Sequence, residues 1–507
     1  MPLLMLLVLY LACLPTAWSR PAGLARNGSG VAWASAGSWA LVLLAVAAAA
    51  AIASWVRRGL ILDPQNRDAI VRRYSSLRFY HLIYLLSAYL VSLYFFGWGW
   101  AVQMLCVIPW NGGRLLAPGA ELVLLLPLIV GLLLSWMCFY GAERALCDTA
   151  PPGAGSRPFW GRAGYVGFHL RQNLAMVLVP IVLLVGTKGL SRVWPELFEH
   201  PWFQGVSFLA LLVLIGVLPF VLRVLLDFRP MPAGPLRDRL LAVSKRLNFR
   251  CSDIMLWNTR NGVANALVVG VVPMLRYVVL SDRLVADMDE DEVDAVFGHE
   301  AGHVKHHHML YYLFFLFVSL AVLASGFEFI RPHVAETFGL DPHGESWIAP
   351  ALVGSLGAYI FVVFGFLSRR CERQADIHGC RAVSCGRADC AGHEDVTLPA
   401  RADGLCRTGI RTFIGALEKV AALNGMNRAR PGWLQSWQHS TIARRVRFLE
   451  QMETDPTLEP RFQRRVGLVK WGLMIGLALL LGLMHWADPN READAPRPAA
   501  SAQAATN

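Results

Sequence analysis

Apolar residues in this chain fall into long unbroken blocks in some stretches and short periodic groups in others, and the two patterns predict different elements. A block of about 20 apolar residues is long enough to cross the hydrocarbon core of a bilayer as a helix. Such blocks lie near 36–56, 80–104, 120–140, 173–190, 204–226, 309–330, 348–367 and 467–486. The one at 173–190 is short and opens beside Arg171. Any one block could be a buried core helix, but together they predict a polytopic, mainly α membrane protein of about seven or eight spans. Residues 3–14 form a further apolar stretch, followed by Pro15-Thr16-Ala17-Trp18-Ser19. This has the outline of a secretory leader, although no basic residue precedes it. Residues 1–19 are therefore read as a signal peptide or an extra anchor, and either reading puts the segment around Asn27 outside.

Between 227 and 308 the periodicity changes. Residues 236–247 carry apolar positions at helical spacing. The β-branched runs 268–272 and 277–280, separated by 273–276, predict a hairpin or pair of strands. The acidic run 287–294 suits a helix N-terminus, and Val293, Val296 and Phe297 give that helix an apolar stripe. The predicted organisation is a five-helix membrane region at 20–226, then a small α+β region at 227–466 that includes the spans at 309–330 and 348–367. A last span at 467–486 follows. The tail 487–507, rich in Ala, Pro and Gln, has no apolar pattern and is predicted to be disordered.

Composition agrees. Of 507 residues, 55% are hydrophobic and 16% charged, against about 25% charged in soluble domains. The net charge of +11 is concentrated in particular loops. Arg57, Arg58, Arg67, Arg72, Arg73 and Arg78 follow the first span, and Arg229, Arg237, Arg239, Lys245 and Arg246 follow the fifth. The positive-inside rule puts these loops on the cytoplasmic face. Topology thus accounts for the charge, and no nucleic-acid motif accompanies it. The implied partners are the lipid bilayer and a peptide or membrane-protein substrate.

The chemistry lies at His299-Glu300-Ala301-Gly302-His303. Positions i and i+4 share one helix face, so both imidazoles can aim at one point, with the Glu300 carboxylate beside it. This is the HExxH spacing of zinc hydrolases. Catalytic zinc takes three protein ligands and keeps a further position open. Glu372, four residues ahead of Asp376 in a second helical phase, is the best third ligand. Gly302 lets another backbone approach the motif helix. Lys305, His306, His307 and His308 extend that helix toward the next span, as a polar end at the membrane surface or, alternatively, as a second metal site.

Taken together, Asn265-Ala266 with Gly270, then Val279-Leu280-Ser281-Asp282, then 299–305 with His308, then Ser368-Arg369 with Glu372, Ala375 and Asp376, resemble the integral-membrane zinc metalloproteases of the CAAX prenyl protease 1 and HtpX types. His439, followed six residues on by Arg445, resembles a late motif of that family, with Ser440 where Pro is usual. The helix count is closer to the CAAX prenyl protease 1 type. The resemblance implies zinc held by His299, His303 and Glu372 at the cytoplasmic mouth of a helix-walled chamber, with Glu300 as general base. It implies Asp376 orienting a metal ligand, His439 and Arg445 assisting at the oxyanion and ligand side, and Asn265 on a substrate-binding edge strand. The implied activity is endopeptidase cleavage of membrane-associated or lipid-modified proteins, with HtpX-like quality control as the alternative. A non-enzymatic transporter or receptor is a third reading, and it predicts no effect of replacing Glu300.

Four cysteines, Cys380, Cys385, Cys390 and Cys406, cluster with His393 in an otherwise polar stretch that departs from the family pattern. On the cytoplasmic face disulfides are disfavoured. A second, structural metal, a disulfide and reduced thiols in a loop are all compatible with the spacing.

Overall fold

Long apolar blocks leave their helices little choice but to bury one side against each other and present the rest to lipid. The computed structural model describes residues 2–486 apart from 111–112, 150–158, 261, 340–353, 356, 386–389, 391–403, 427 and 429–439. The tail at 487–507 and the start of the block at 348–367 (348–353, with 356) lie outside the described residues. The N-terminal region comprises α1 (Pro2–Cys13), α2 (Gly28–Leu62), α3 (Arg67–Tyr94), α4 (Trp98–Leu105), a small ladder β1 (Val107–Trp110) and β2 (Gly113–Leu116), α5 (Ala120–Asp148), α6 (Arg162–Val193), α7 (Pro195–Glu199) and α8 (Pro201–Leu225). Leu209, Val213 and Val217 on α8 are apolar yet exposed, the signature of a lipid-facing surface.

Two details differ from the sequence reading. The block at 80–104 is not one span: α3 stops at Tyr94 and α4 begins after Gly97, which sits at φ +76°. The indole of Trp98 there donates to the Leu124 carbonyl at 2.9 Å, so the second half folds back into the bundle. Apolar content alone cannot register that turn. The leader-like stretch, in turn, is a packed helix. Met5, Val8, Leu9 and Ala12 of α1 are buried in the bundle core, and Tyr94 donates to the Leu11 carbonyl at 2.8 Å.

The second region opens with β3 (Phe228–Pro230), α9 (Pro235–Arg246), β4 (Asp253–Trp257), β5 (Ala266–Val269) and β6 (Tyr277–Ser281). The sheet runs β3-β4-β6-β5, with β4 and β6 parallel and the other pairs antiparallel. Each residue of β6 is buried, whereas β5 lies at the edge. Gly270, at φ +104°, begins the β5–β6 connection, where a side chain would strike the Leu275 carbonyl. Then follow α10 (Asp282–Asp287), α11 (Glu290–Lys305) and α12 (His308–Phe338), and one π-helical turn (Ile360–Phe364) leads into α13 (Gly365–Ala382). The series closes with α14 (Arg407–Leu423), α15 (Ile442–Thr454) and α16 (Leu458–Trp486). Among the described residues, six helical stretches are long and apolar enough to cross a membrane: Gly28–Leu62, Pro64–Tyr94, Ala120–Asp148, Gly205–Leu225, His308–Thr337 and Leu458–Met484.

Helix α11 starts where its charges dictate. The Asp289 amide bonds the Glu292 carboxylate at 2.9 Å in a capping box, and Lys419 of α14 reaches Glu292 at 2.7 Å. Val293 and Phe297 enter the core shared by the sheet, α9, α13 and α14. Burying each contributes about 1.5–3 kcal/mol. The opposite face meets α13 through small residues. A side-chain carbon at Gly302 would lie 2.8 Å from the His378 Cβ and 3.0 Å from the Ala375 Cα, and one at Gly298 would collide with Ala382.

Candidate active site

That close seam brings α13 alongside the HExxH face of α11. The Nε2 atoms of His299 and His303 stand 3.3 Å apart, and Glu372 places Oε2 3.8 Å from the first and Oε1 3.8 Å from the second. One donor atom from each of the three residues lies within 4.8 Å of the others. Three electron-pair donors aimed at one point is an arrangement that a bound cation stabilises. A set of two imidazoles and a carboxylate is that of a catalytic metal centre with an open position, and the donors fit one.

The surrounding side chains hold this set in place. Asp376 is fully buried one helical turn beyond Glu372, with Oδ1 3.1 Å from His299 Nδ1. A carboxylate at Nδ1 keeps the ring proton there and leaves the Nε2 lone pair for a metal. Arg445 of α15 donates from Nε to Asp376 Oδ2 at 2.9 Å and from Nη2 to Oδ1, while its Nη1 lies 3.6 Å from Glu372. Burial alone would raise the Asp376 pKa, but Arg445 and His299 outweigh it and hold the carboxyl below its ordinary value. Burial likewise works against a charged His299, yet Asp376 prevails and raises that pKa. Phe413 of α14 stacks on the His299 ring at 5.9 Å.

His303 has its own support. The helix breaks after Lys305, and His307 takes a left-handed φ of +53°, turning the chain into α12. The expected continuous polar helix end is therefore absent. His308 is instead completely buried, with Nδ1 3.0 Å from His303 Nδ1 and Nε2 3.2 Å from Gln374 Oε1. Lys470 of α16 joins the same Gln374 oxygen at 2.9 Å. A position five residues past His303 gave no helical-phase signal, because the break that aims it is a backbone event.

Glu300 faces a cleft of about 630 Å³ lined chiefly by apolar side chains, among them Met309, Tyr312 and Phe364. Its Oε2 accepts the Val268 amide at 3.0 Å, so the outer edge of β5 looks directly into the site. Asn265 lines the same cleft at the head of that strand, as do Arg445 and Ser440. His439 lies outside the described residues. Of the four grouped cysteines, Cys385, Cys390 and Cys406 come within 4.8 Å of one another, whereas Cys380 is buried in the core of α13 and is not part of that group.

Lipid-facing helices joined to an α+β region that carries this centre define the class: a polytopic membrane protein with an HExxH metal-binding centre. Residues 232–464 match the model of peptidase family M48. Over 198 residues it is 28% identical to a CAAX prenyl protease 1 homolog of Arabidopsis thaliana, covering 37% of this chain and 43% of the relative. It is 27% identical to a protease HtpX homolog of Pyrobaculum islandicum, covering 37% of this chain and 55% of that protein. The matched part thus spans about half the length of these relatives, or less. The crystal structure of S. mikatae Ste24p shares the fold, with a TM-score of 0.51 and 16% identity over 82% of this chain and 99% of the other.

Proposed function

We propose that this chain is a zinc-dependent endopeptidase that cleaves membrane-associated or lipid-modified proteins at the cytoplasmic face of the membrane. His299, His303 and Glu372 would hold the metal, and the nitrogen-and-carboxylate donor set suits zinc. When bound, the metal would supply Lewis-acid polarisation of the scissile carbonyl and acidify water. The remaining work falls to side chains. Glu300 takes a proton from the attacking water and returns it to the leaving amine. Strand β5 offers its edge N–H and C=O groups to an extended substrate backbone, with Asn265 at its head. Asp376 and Arg445 position the ligands, and the family resemblance would have Arg445 and His439 assist at the oxyanion.

The observation that carries this reading is the meeting of Glu300, the β5 edge and the three donors in one cleft. Five long helices precede α11, namely α2, α3, α5, α6 and α8, which favours a prenyl protease-like role over an HtpX-like one. The cytoplasmic orientation rests on the basic loops that flank α11. The test is to incubate detergent-purified protein with a C-terminally prenylated peptide and with an unmodified membrane protein, each with and without a chelator. Chelator-sensitive cleavage of the prenylated peptide alone is the expected result. Cleavage of the membrane protein alone would assign the quality-control role, and cleavage of neither would remove the peptidase reading.

A further inference from the structure

Away from the cleft, the chain makes a second convergence of metal-ligating side chains. Helix α13 ends at Ala382, Cys385 follows in the coil after it, and Cys406 is the N-cap of α14. Cys390, from the excursion between these helices, returns to the same point. The three sulfurs lie within 4.8 Å of one another. Sulfurs held tetrahedrally at about 2.3 Å from a zinc ion would lie about 3.8 Å apart, within that limit.

The local backbone holds a sulfur in place here. Cys406 is 2% exposed, and its Sγ accepts the Gly409 amide at 3.3 Å, at the positive end of a 17-residue helix. Cys390 Sγ lies 3.4 Å from the Thr408 hydroxyl, in the same first turn. Ser384 ties the two helix ends together: its hydroxyl accepts the Cys406 amide at 3.2 Å and donates to the Cys380 carbonyl at 2.8 Å. Gly409 permits this approach, since any side chain there would meet Ser384. Cys390 and Cys406 are thus both held against the first turn of α14.

We propose that Cys385, Cys390 and Cys406 form a second, structural metal site for a thiophilic divalent cation, zinc foremost, separate from the HExxH centre. Soft thiolates select such ions over magnesium or calcium. Binding releases the three thiol protons and pins the start of α14 to the end of α13, closing the intervening excursion whose ends would otherwise carry loop entropy. Because Phe413 of α14 stacks on His299, the clamp also fixes one wall of the catalytic cleft. The proposal does not depend on the peptidase reading.

The experiment counts zinc in the purified full-length chain by elemental analysis. Two atoms per chain are expected in the parent protein. One is expected in the triple variant Cys385→Ser, Cys390→Ser, Cys406→Ser, and one in His299→Ala with His303→Ala. Cobalt replacement gives an independent readout: the thiolate-to-cobalt charge-transfer band should persist in the histidine variant and vanish in the cysteine variant. Should the triple variant fail to fold, alkylation of the native chain decides. The thiols should resist maleimide until a chelator is added. A parent chain with one zinc that the cysteine variant retains would overturn the site. So would a disulfide between any two of the three, or alkylation unaffected by the chelator.

Discussion

Two clusters of side chains able to ligate a metal lie along α13, one using its middle and one just past its end, and they are built in opposite ways. The His299–His303–Glu372 set opens onto a cleft of about 630 Å³, and each histidine is backed by a buried polar partner, Asp376 for one and His308 for the other. The Cys385–Cys390–Cys406 set lies where one helix ends and another begins. Open coordination with oriented ligands is what chemistry requires, whereas a set of thiolates bridging two helix ends is what a clamp requires. The difference teaches that donor atoms alone do not declare function. What surrounds them does.

The comparison is sharpest when chemistry is removed without removing metal. Glu300→Gln should lower peptide cleavage by about 10²- to 10⁴-fold, the usual worth of a positioned general base, with zinc content unchanged. Peptidase assay and elemental analysis on the same sample check both halves. Next, Asp376→Asn should weaken metal affinity at the histidine centre by about 10- to 100-fold and leave the cysteine site alone, as a chelator competition would show. His308→Ala should act in the same direction through His303.

The seam between α11 and α13 provides the third break. Gly298→Val places carbon where Ala382 already sits, at a cost of about 1–3 kcal/mol of overpacking. Thermal unfolding should fall accordingly, and the histidine centre should lose metal before the cysteine site does. Acid gives the smallest effect. Burial holds His306 at about 4 and His378 at about 3, below the ordinary 6.5. Between those values the unfolded chain binds more protons, so their contribution to stability is present above pH 6.5 and declines as pH falls below it. His299, whose pKa is raised, opposes this, while buried His308, held well below its ordinary value, adds to it. Metal-stripped protein should therefore melt at lower temperature at pH 5 than at pH 7.

Much of this was readable from spacing. The i, i+4 histidines predicted a shared face, and their ring nitrogens are 3.3 Å apart. The β-branched runs predicted the β5–β6 pair, and Gly302 predicted a close approach, which α13 makes. Other features were hidden for physical reasons. The turn at Gly97 and the break at His307 are backbone reversals inside apolar or polar runs, so composition does not mark them. His308 became a ligand support only because of the second reversal. Among the cysteines, spacing offered four candidates, but Cys380 belongs to the apolar core of α13, a distinction that only packing makes.

The central claim is tested most directly by cleavage of a prenylated peptide by purified zinc-loaded protein, run beside the Glu300→Gln variant with its zinc retained. The account predicts cleavage by the parent chain and a loss of at least about 10²-fold in the variant. Equal rates in the two proteins would contradict it.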